Sequence, residues 1–413
     1  YVARNVTVSL SSGSLSTNTA GIDGGGLYAS DSVSVSLTST AIDTNAASGS
    51  GAGMYLTNQI TLALASCNVG DNVASLSGGG LYVMGPSSTA SVTDCTVTSN
   101  RAVQGHGGGW VVLKDTQLTM AAGRTVSNNA GQDGGAIWLG SSACIVRNHT
   151  LSSNTAAGSG GGFYIANSTS SVLVEQSSTV ANNRAANGGG GGAYLHRGTV
   201  SYTLRGSQMK NNSASEHGGA VYAQGSGTAV TVSSSTVDAN TAVKAGGGLY
   251  AADGAIVKVN ANSEVTRNTA DEDGGGMYWS GGSTATVVSS SFKYNRATAR
   301  GGGWYSTASV INATSAQVDS NTAGGSGGGC YMSNVNAGSS TLTMSGSGTS
   351  VKQNVAGENG GGIYVAQDVA VSLLSASINA NNCTKSGGGM YVARNVTVSL
   401  SSGSLSTNTA GID

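Results

Sequence analysis

The sequence predicts an all-β fold, a right-handed parallel β-helix whose turns of about 28 residues stack into a solenoid. Three observations predict it. A Gly-rich triplet, an apolar residue and usually Tyr recur 14 times over 390 residues, with no helical period between them. Each triplet is preceded by an apolar residue, two variable residues and Asn. The stretches between these marks, such as residues 32–39 (SVSVSLTS) and 59–66 (QITLALAS), alternate apolar and polar with the period of half-buried strands.

The triplet opens each turn. It reads GGGLY at 24–28, GAGMY at 51–55 and GGGLY at 78–82, and continues to GGGMY at 387–391; from Tyr1 to Tyr391 the intervals run from 26 to 33 residues. In the strand that follows, apolar residues flank the Tyr, so alternation turns Tyr28, Tyr55, Tyr82, Tyr164, Tyr194, Tyr222, Tyr250, Tyr278, Tyr305, Tyr331 and Tyr364 to the outer face, with Tyr1 and Tyr391 at its ends. Val111 interrupts this outer aromatic ladder and Trp138 continues it, so that nearly all the aromatic content is expected there. Stacked rings stiffen a sheet, and a flat aromatic stripe also suits a neighbouring chain or a glycan.

The Asn column comes last in the turn: Asn18, Asn45, Asn72, Asn100, Asn129, Asn154, Asn183, Asn212, Asn240, Asn268, Asn295, Asn321, Asn354 and Asn381. These residues are expected to turn inward at a corner, where Asn tolerates a left-handed backbone and successive amides can bond along the axis. Right-handed winding follows from the crossover preference of parallel strands. At ~4.8 Å per turn, 14 turns rise roughly 67 Å.

Residues 1–23 recur letter for letter as 391–413. Residues 1–413 therefore read as a single continuous β-helix, one 390-residue unit (1–390) and the start of the next (391–413), within a tandem array joined end to end. Charged residues are 9% of the chain against roughly 25% in an average domain, and the net charge is −1 with no basic stripe, which excludes a nucleic-acid surface. No apolar run approaches the ~18 residues of a membrane-spanning helix, so no membrane insertion of this segment is expected.

The pairing of GGG or GGA plus an aliphatic residue with apolar-x-x-Asn resembles the repeats of the chlamydial polymorphic outer-membrane proteins, and does so in all 14 turns. That family's Phe in FxxN stands here only at Phe292. The resemblance implies a β-helical passenger that is secreted or displayed on a surface and acts as an adhesin.

The remaining candidate sites are few. Cys67 and Cys95 lie at one register in consecutive turns, near enough for a disulfide, whereas Cys144, Cys330 and Cys383 read as buried small hydrophobes. Sequons at Asn5, Asn148, Asn167, Asn211, Asn312, Asn382 and Asn395 are acceptors for N-glycosylation in a secretory host. No metal or cofactor is implied. Gly105-His106-Gly107 is similar to an element of polygalacturonases, but that family's paired Asp motifs are missing; Asp271, Glu272 and Asp273 read as solvated loop charge. Asp23, Asp133 and Asp273 offer single carboxylates for weak Ca²⁺ binding, without the Gly/Asp repeat of calcium-dependent β-rolls. Outward Thr7, Thr61, Thr119, Thr203, Thr231 and Thr343 read as one column broken by Ser34 and Lys258, too irregular for an ice-binding face. The function expected is thus the structural shaft of an extracellular filament or cell-surface fibre, not an enzyme. An adhesin stalk binding carbohydrate or a host protein through the Tyr stripe comes second, and a polysaccharide-acting enzyme third.

Overall fold

The computed structural model describes residues 1–2, 4–166, 169–334 and 340–411. They form two compact units, Tyr1–Gln208 with Asn212–Ala214, and Met209–Asn211 with Ser215–Asp413. Each is a right-handed parallel β-solenoid, and the described residues make about 14 turns without a helix.

One turn shows the plan. Leu27–Ser30, Ser34–Thr38, Ala41–Asp43 and Ala46–Ala47 are its strands, and each belongs to a different sheet. The next turn repeats them in register, with Tyr28 beside Tyr55, Val35 beside Leu62, Ile42 beside Val69 and Ala47 beside Ala74. Within each unit the four sheets are parallel throughout, and they can be called the aromatic, long, short and alanine sheets in chain order.

Alternation decides what each sheet buries. Val35 and Leu37 of the long sheet and Ile42 of the short sheet are fully enclosed, and each such side chain contributes about 1.5–3 kcal/mol. The alanine sheet holds Ala47, Ala74, Ala102, Ala130, Ala156 and Ala185 one above another inside the first unit. The row favours small side chains, and the triplet crosses close by: a Cβ on Gly25 would stand 2.5 Å from the Ala46 carbonyl oxygen. The core takes larger aromatics elsewhere. Trp110, Phe163, Tyr202, Trp279, Phe292 and Trp304 are buried, so more of the aromatic content is internal than the outer ladder alone suggests. Edge contacts join Phe292 to Trp304 at 5.2 Å and Trp279 to Trp304 at 6.0 Å.

The first Gly of the triplet sets the sharp entry to the aromatic strand. At Gly274 φ is +67°, and a Cβ would meet the Met277 carbonyl oxygen at 2.4 Å. Gly274→Ala is therefore expected to lower stability by about 2–4 kcal/mol in denaturant unfolding, as strain and overpacking add. Gly21→Ala, where nothing lies within 4 Å, should be neutral by the same measurement.

Candidate functional site

The polar interior is a ladder of asparagine amides. In the first unit it comprises Asn18, Asn45, Asn72, Asn100, Asn128, Asn154, Asn183 and Asn212. In the second it comprises Asn240, Asn268, Asn295, Asn321, Asn354, Asn381 and Asn408. Asn72 shows the bonding. Its Oδ1 accepts the backbone N–H of Asn45 at 3.0 Å and the Nδ2 of Asn45 at 2.9 Å, while its own Nδ2 donates to Asn100 Oδ1 at 2.9 Å and to the Ile42 carbonyl at 2.8 Å. Both donors and both lone pairs of the amide are used, and three turns are tied by one side chain. The step between rungs runs from 26 residues (Asn128 to Asn154) to 33 (Asn321 to Asn354), so insertions leave the ladder intact.

Two expectations need correcting here. Asn129 is exposed and lies in the outer row of the alanine sheet; Asn128 is the rung, and Thr125 rather than Val126 points inward opposite Val97. The stronger hydrophobicity of Val126 misplaces the register by one residue, whereas the amide stack fixes it. The left-handed residue is also not the rung itself but the one before it, as at Thr17 (φ 59°), Asp71 (φ 53°) and Tyr294 (φ 58°).

A second column lies at the corner between the long and short sheets, where Thr40, Cys67, Cys95, Gly123, His149 and Ser178 follow one another. Cys67 and Cys95 stack as expected but are thiols, not a disulfide. The Cys67 thiol donates to the Leu37 carbonyl at 3.3 Å, the Cys95 thiol to that of Thr93 at 3.2 Å, and Cys95 Sγ accepts the Cys67 N–H at 3.2 Å. The two neighbouring sulfurs are coupled, which lowers the Cys67 thiol and raises that of Cys95. Cys144, Cys330 and Cys383 are buried, the last in the alanine sheet between Ala356 and Ala410. Gly123 carries no side chain in this column, and His149 from the next turn reaches the inward Thr125, Nε2 to Oγ1 at 3.0 Å. The Nδ1 of His149 is buried without a partner among the described residues, and burial lowers its pKa to about 4.

The aromatic ladder exists in each unit, with its rings face to face. Tyr1, Tyr28, Tyr55 and Tyr82 stack at 5.4, 5.3 and 4.8 Å; buried Val111 breaks the row, and Trp138, Tyr164 and Tyr194 resume it at 6.2 and 5.1 Å. In the second unit Tyr222, Tyr250, Tyr278, Tyr305, Tyr331, Tyr364 and Tyr391 stack without a break at 4.7–5.0 Å and within 10° of parallel. The rings are half-buried rather than freely outward, and Tyr305 and Tyr331 are 4% and 8% exposed. Arg300 covers those two, its guanidinium 4.9 and 5.1 Å from their centroids. Burial, then the neighbouring Tyr82 and Asp23, pushes the Tyr55 phenol up to about 12.

One polar row escaped sequence reasoning. The residue before most triplets caps the next turn: Asp23 accepts the N–H of Ser50, Ser50 that of Ser77, Ser77 that of His106, His106 Nδ1 that of Asp133, and Asp133 that of Ser159, at 2.6–3.3 Å. His217 Nδ1 accepts from Ala245 at 3.2 Å in the same way, and burial keeps both His106 and His217 below the usual imidazole range. Asp273 accepts the Arg300 N–H at 3.0 Å and grips its guanidinium at 2.8 and 3.0 Å. Asp271 and Glu272 are exposed. The signal was present, since short acceptors (Asp, Ser, His, Asn) crowd that position. Among the described residues no group of three His, Cys, Asp or Glu is placed to hold a metal ion.

On the surface, sequon residues Asn5, Asn148, Asn211, Asn312, Asn382 and Asn395 are exposed, while Asn167 lies outside the described residues. The Thr residues do not share one column: Thr7 and Thr61 follow each other through Ser34, whereas Thr119 and Thr203 fall in the adjacent row, two residues along the strand. Thr231 and Thr343 share a row of the second unit with Lys258.

Two outcomes separate these assignments from their alternatives. Asn128→Ala strands buried partners and is expected to cost about 2–4 kcal/mol in denaturant unfolding, while Asn129→Ala stays within about 0.5 kcal/mol. For His149, the unfolded chain binds a proton between its ordinary pKa of 6.5 and the folded value of about 4, and the native state does not. Stability therefore falls as pH drops through that window, by about 3 kcal/mol in total, and His149→Gln should remove that part of the pH slope.

Residues 111–323 match a family model described as the right handed beta helix region. No curated protein and no solved structure matches the chain. The matched stretch covers just over half of the 413 residues, and its turns are those of the solenoid described above: the chain belongs to the right-handed β-helix family.

Proposed function

We propose that the chain is a length of structural shaft in an extracellular filament or cell-surface fibre, built from tandem copies of a 390-residue unit. The observation that carries this reading is the letter-for-letter identity of residues 1–23 and 391–413. Thr7–Ser11 and Thr397–Ser401 are the same strand of the turn, as are Thr19–Ala20 and Thr409–Ala410. Asn408 continues its ladder as Asn18 begins the other, so a further turn can be added at the register already in use. Stability in such an array is a sum of turns and of their contacts, which suits length and stiffness.

The disposition of the polar residues supports a non-enzymatic role. The carboxylates of Asp23, Asp133 and Asp273 are engaged by amides of the following turn, and Glu175 is held between Arg147 and Arg205. The adhesin reading, which the resemblance to polymorphic outer-membrane proteins favours, would use the tyrosine stripe. There the rings spend their faces on one another, so a sugar finds edges and hydroxyls rather than a stacking platform, and a lateral protein chain suits the stripe better than a glycan. Surface display agrees with the family; no helix of the described residues is long and apolar enough to cross a membrane, which says nothing of a β-barrel.

Electron cryo-microscopy of native material carrying this sequence tests the proposal. A continuous rod with an axial repeat near the ~67 Å given by turn stacking is expected. Separate particles of finite length would overturn it in favour of a capped domain.

A further inference from the structure

The parallel register of the second unit sets one tyrosine ring directly on the next at the strand spacing, without a gap. From Tyr222 to Tyr391 every neighbouring pair of rings lies 4.7–5.0 Å apart and 4–10° from parallel. The same residue type stands at every position, so neighbouring sites differ little in oxidation potential. Burial raises the phenol pKa at Tyr250, Tyr278 and Tyr305, so these rings are neutral phenols at physiological pH.

We infer that this stack conducts oxidising equivalents, with a tyrosyl radical made on one ring by a high-valent metal oxidant migrating from ring to ring along the row. In the first step the phenol gives one electron to the oxidant, which is reduced by one unit, and its proton passes to water at the open edge of the stripe. Each later step is an exchange: a tyrosyl radical takes one electron and one proton from the neighbouring phenol, becoming a phenol while the neighbour becomes the radical. No net charge accumulates. That matters beside Arg300, whose guanidinium lies over Tyr305 and Tyr331 and would disfavour a cationic ring there. Asp273 bonded to the same guanidinium keeps the local field even, so these two rings remain passable.

The first unit supplies the contrast. Val111 stands in the aromatic row between Tyr82 and Trp138, paired with both in adjacent strands, and an aliphatic side chain carries no radical.

The test uses the whole chain with a ruthenium tris-bipyridine photosensitiser attached at an Arg394→Cys variant, next to the Tyr391 end. Arg394 is exposed, and the five native cysteines are buried. Tyr222 is replaced by 3-aminotyrosine, a lower-potential trap with its own optical and electron paramagnetic resonance signature. After flash oxidation with hexaammineruthenium(III) as quencher, the aminotyrosyl radical is expected at position 222. It should be lost in Tyr305→Phe, which preserves ring packing but removes the oxidisable phenol, and in Tyr305→Leu, which copies the natural break at Val111. Circular dichroism and thermal unfolding check that both variants are folded. A radical that remains at Tyr391 in the intact stack, or an equal yield at position 222 in folded Tyr305→Phe, would overturn the inference.

Discussion

One interaction disciplines the rest: each interior turn contributes a buried rung amide whose four hydrogen-bonding positions are filled by the turns on either side. An unsatisfied amide in that setting costs about 1–3 kcal/mol, so a rung cannot be skipped without loss. Once Asn72 has its place between Asn45 and Asn100, the inward side chains of the short sheet and the methyl row of the alanine sheet follow by counting along the chain. The rungs also explain why turn length can vary. One turn lengthens to 33 residues without disturbing the bond between the amides of Asn321 and Asn354.

Most of this was legible because the pattern is periodic in the way the physics is periodic. Turn length, the parallel register, the aromatic row and the polar rungs are all columns, and a column repeats. What sequence reading misplaced were features whose signal is comparative or three-dimensional. Asn128 and Asn129 are indistinguishable as letters; what separates them is the small residue two positions after a rung, as in Asn72-Val73-Ala74 and Asn128-Asn129-Ala130. The partial burial of the Tyr rings could not be read from alternation, which gives a face but not what leans over it: Arg300 reaches its rings from the preceding loop. The thiol state of Cys67 and Cys95 depends on carbonyl groups within reach, which spacing does not report.

The sparse charges are spent between turns. Glu175 sits between Arg147 and Arg205, and Lys244–Glu216, Arg267–Asp238 and Lys385–Glu358 each join successive turns. Arg267–Asp238 and Lys385–Glu358 are solvent-exposed, and such pairs are worth only about 0–1 kcal/mol apiece. Their greater effect is to discourage a turn from slipping by one period past its neighbour, which would set some of these charges against the wrong partners.

The asparagine ladder also has a direction. In both units the amide-to-amide bonds run one way, each Nδ2 donating to the Oδ1 of the next higher-numbered rung, so these bonds add head to tail instead of cancelling. A turn inverted end for end would bring donor against donor. The two ends of each ladder are therefore chemically unlike, one showing an amide acceptor and the other an amide donor, and a unit built this way has a front and a back.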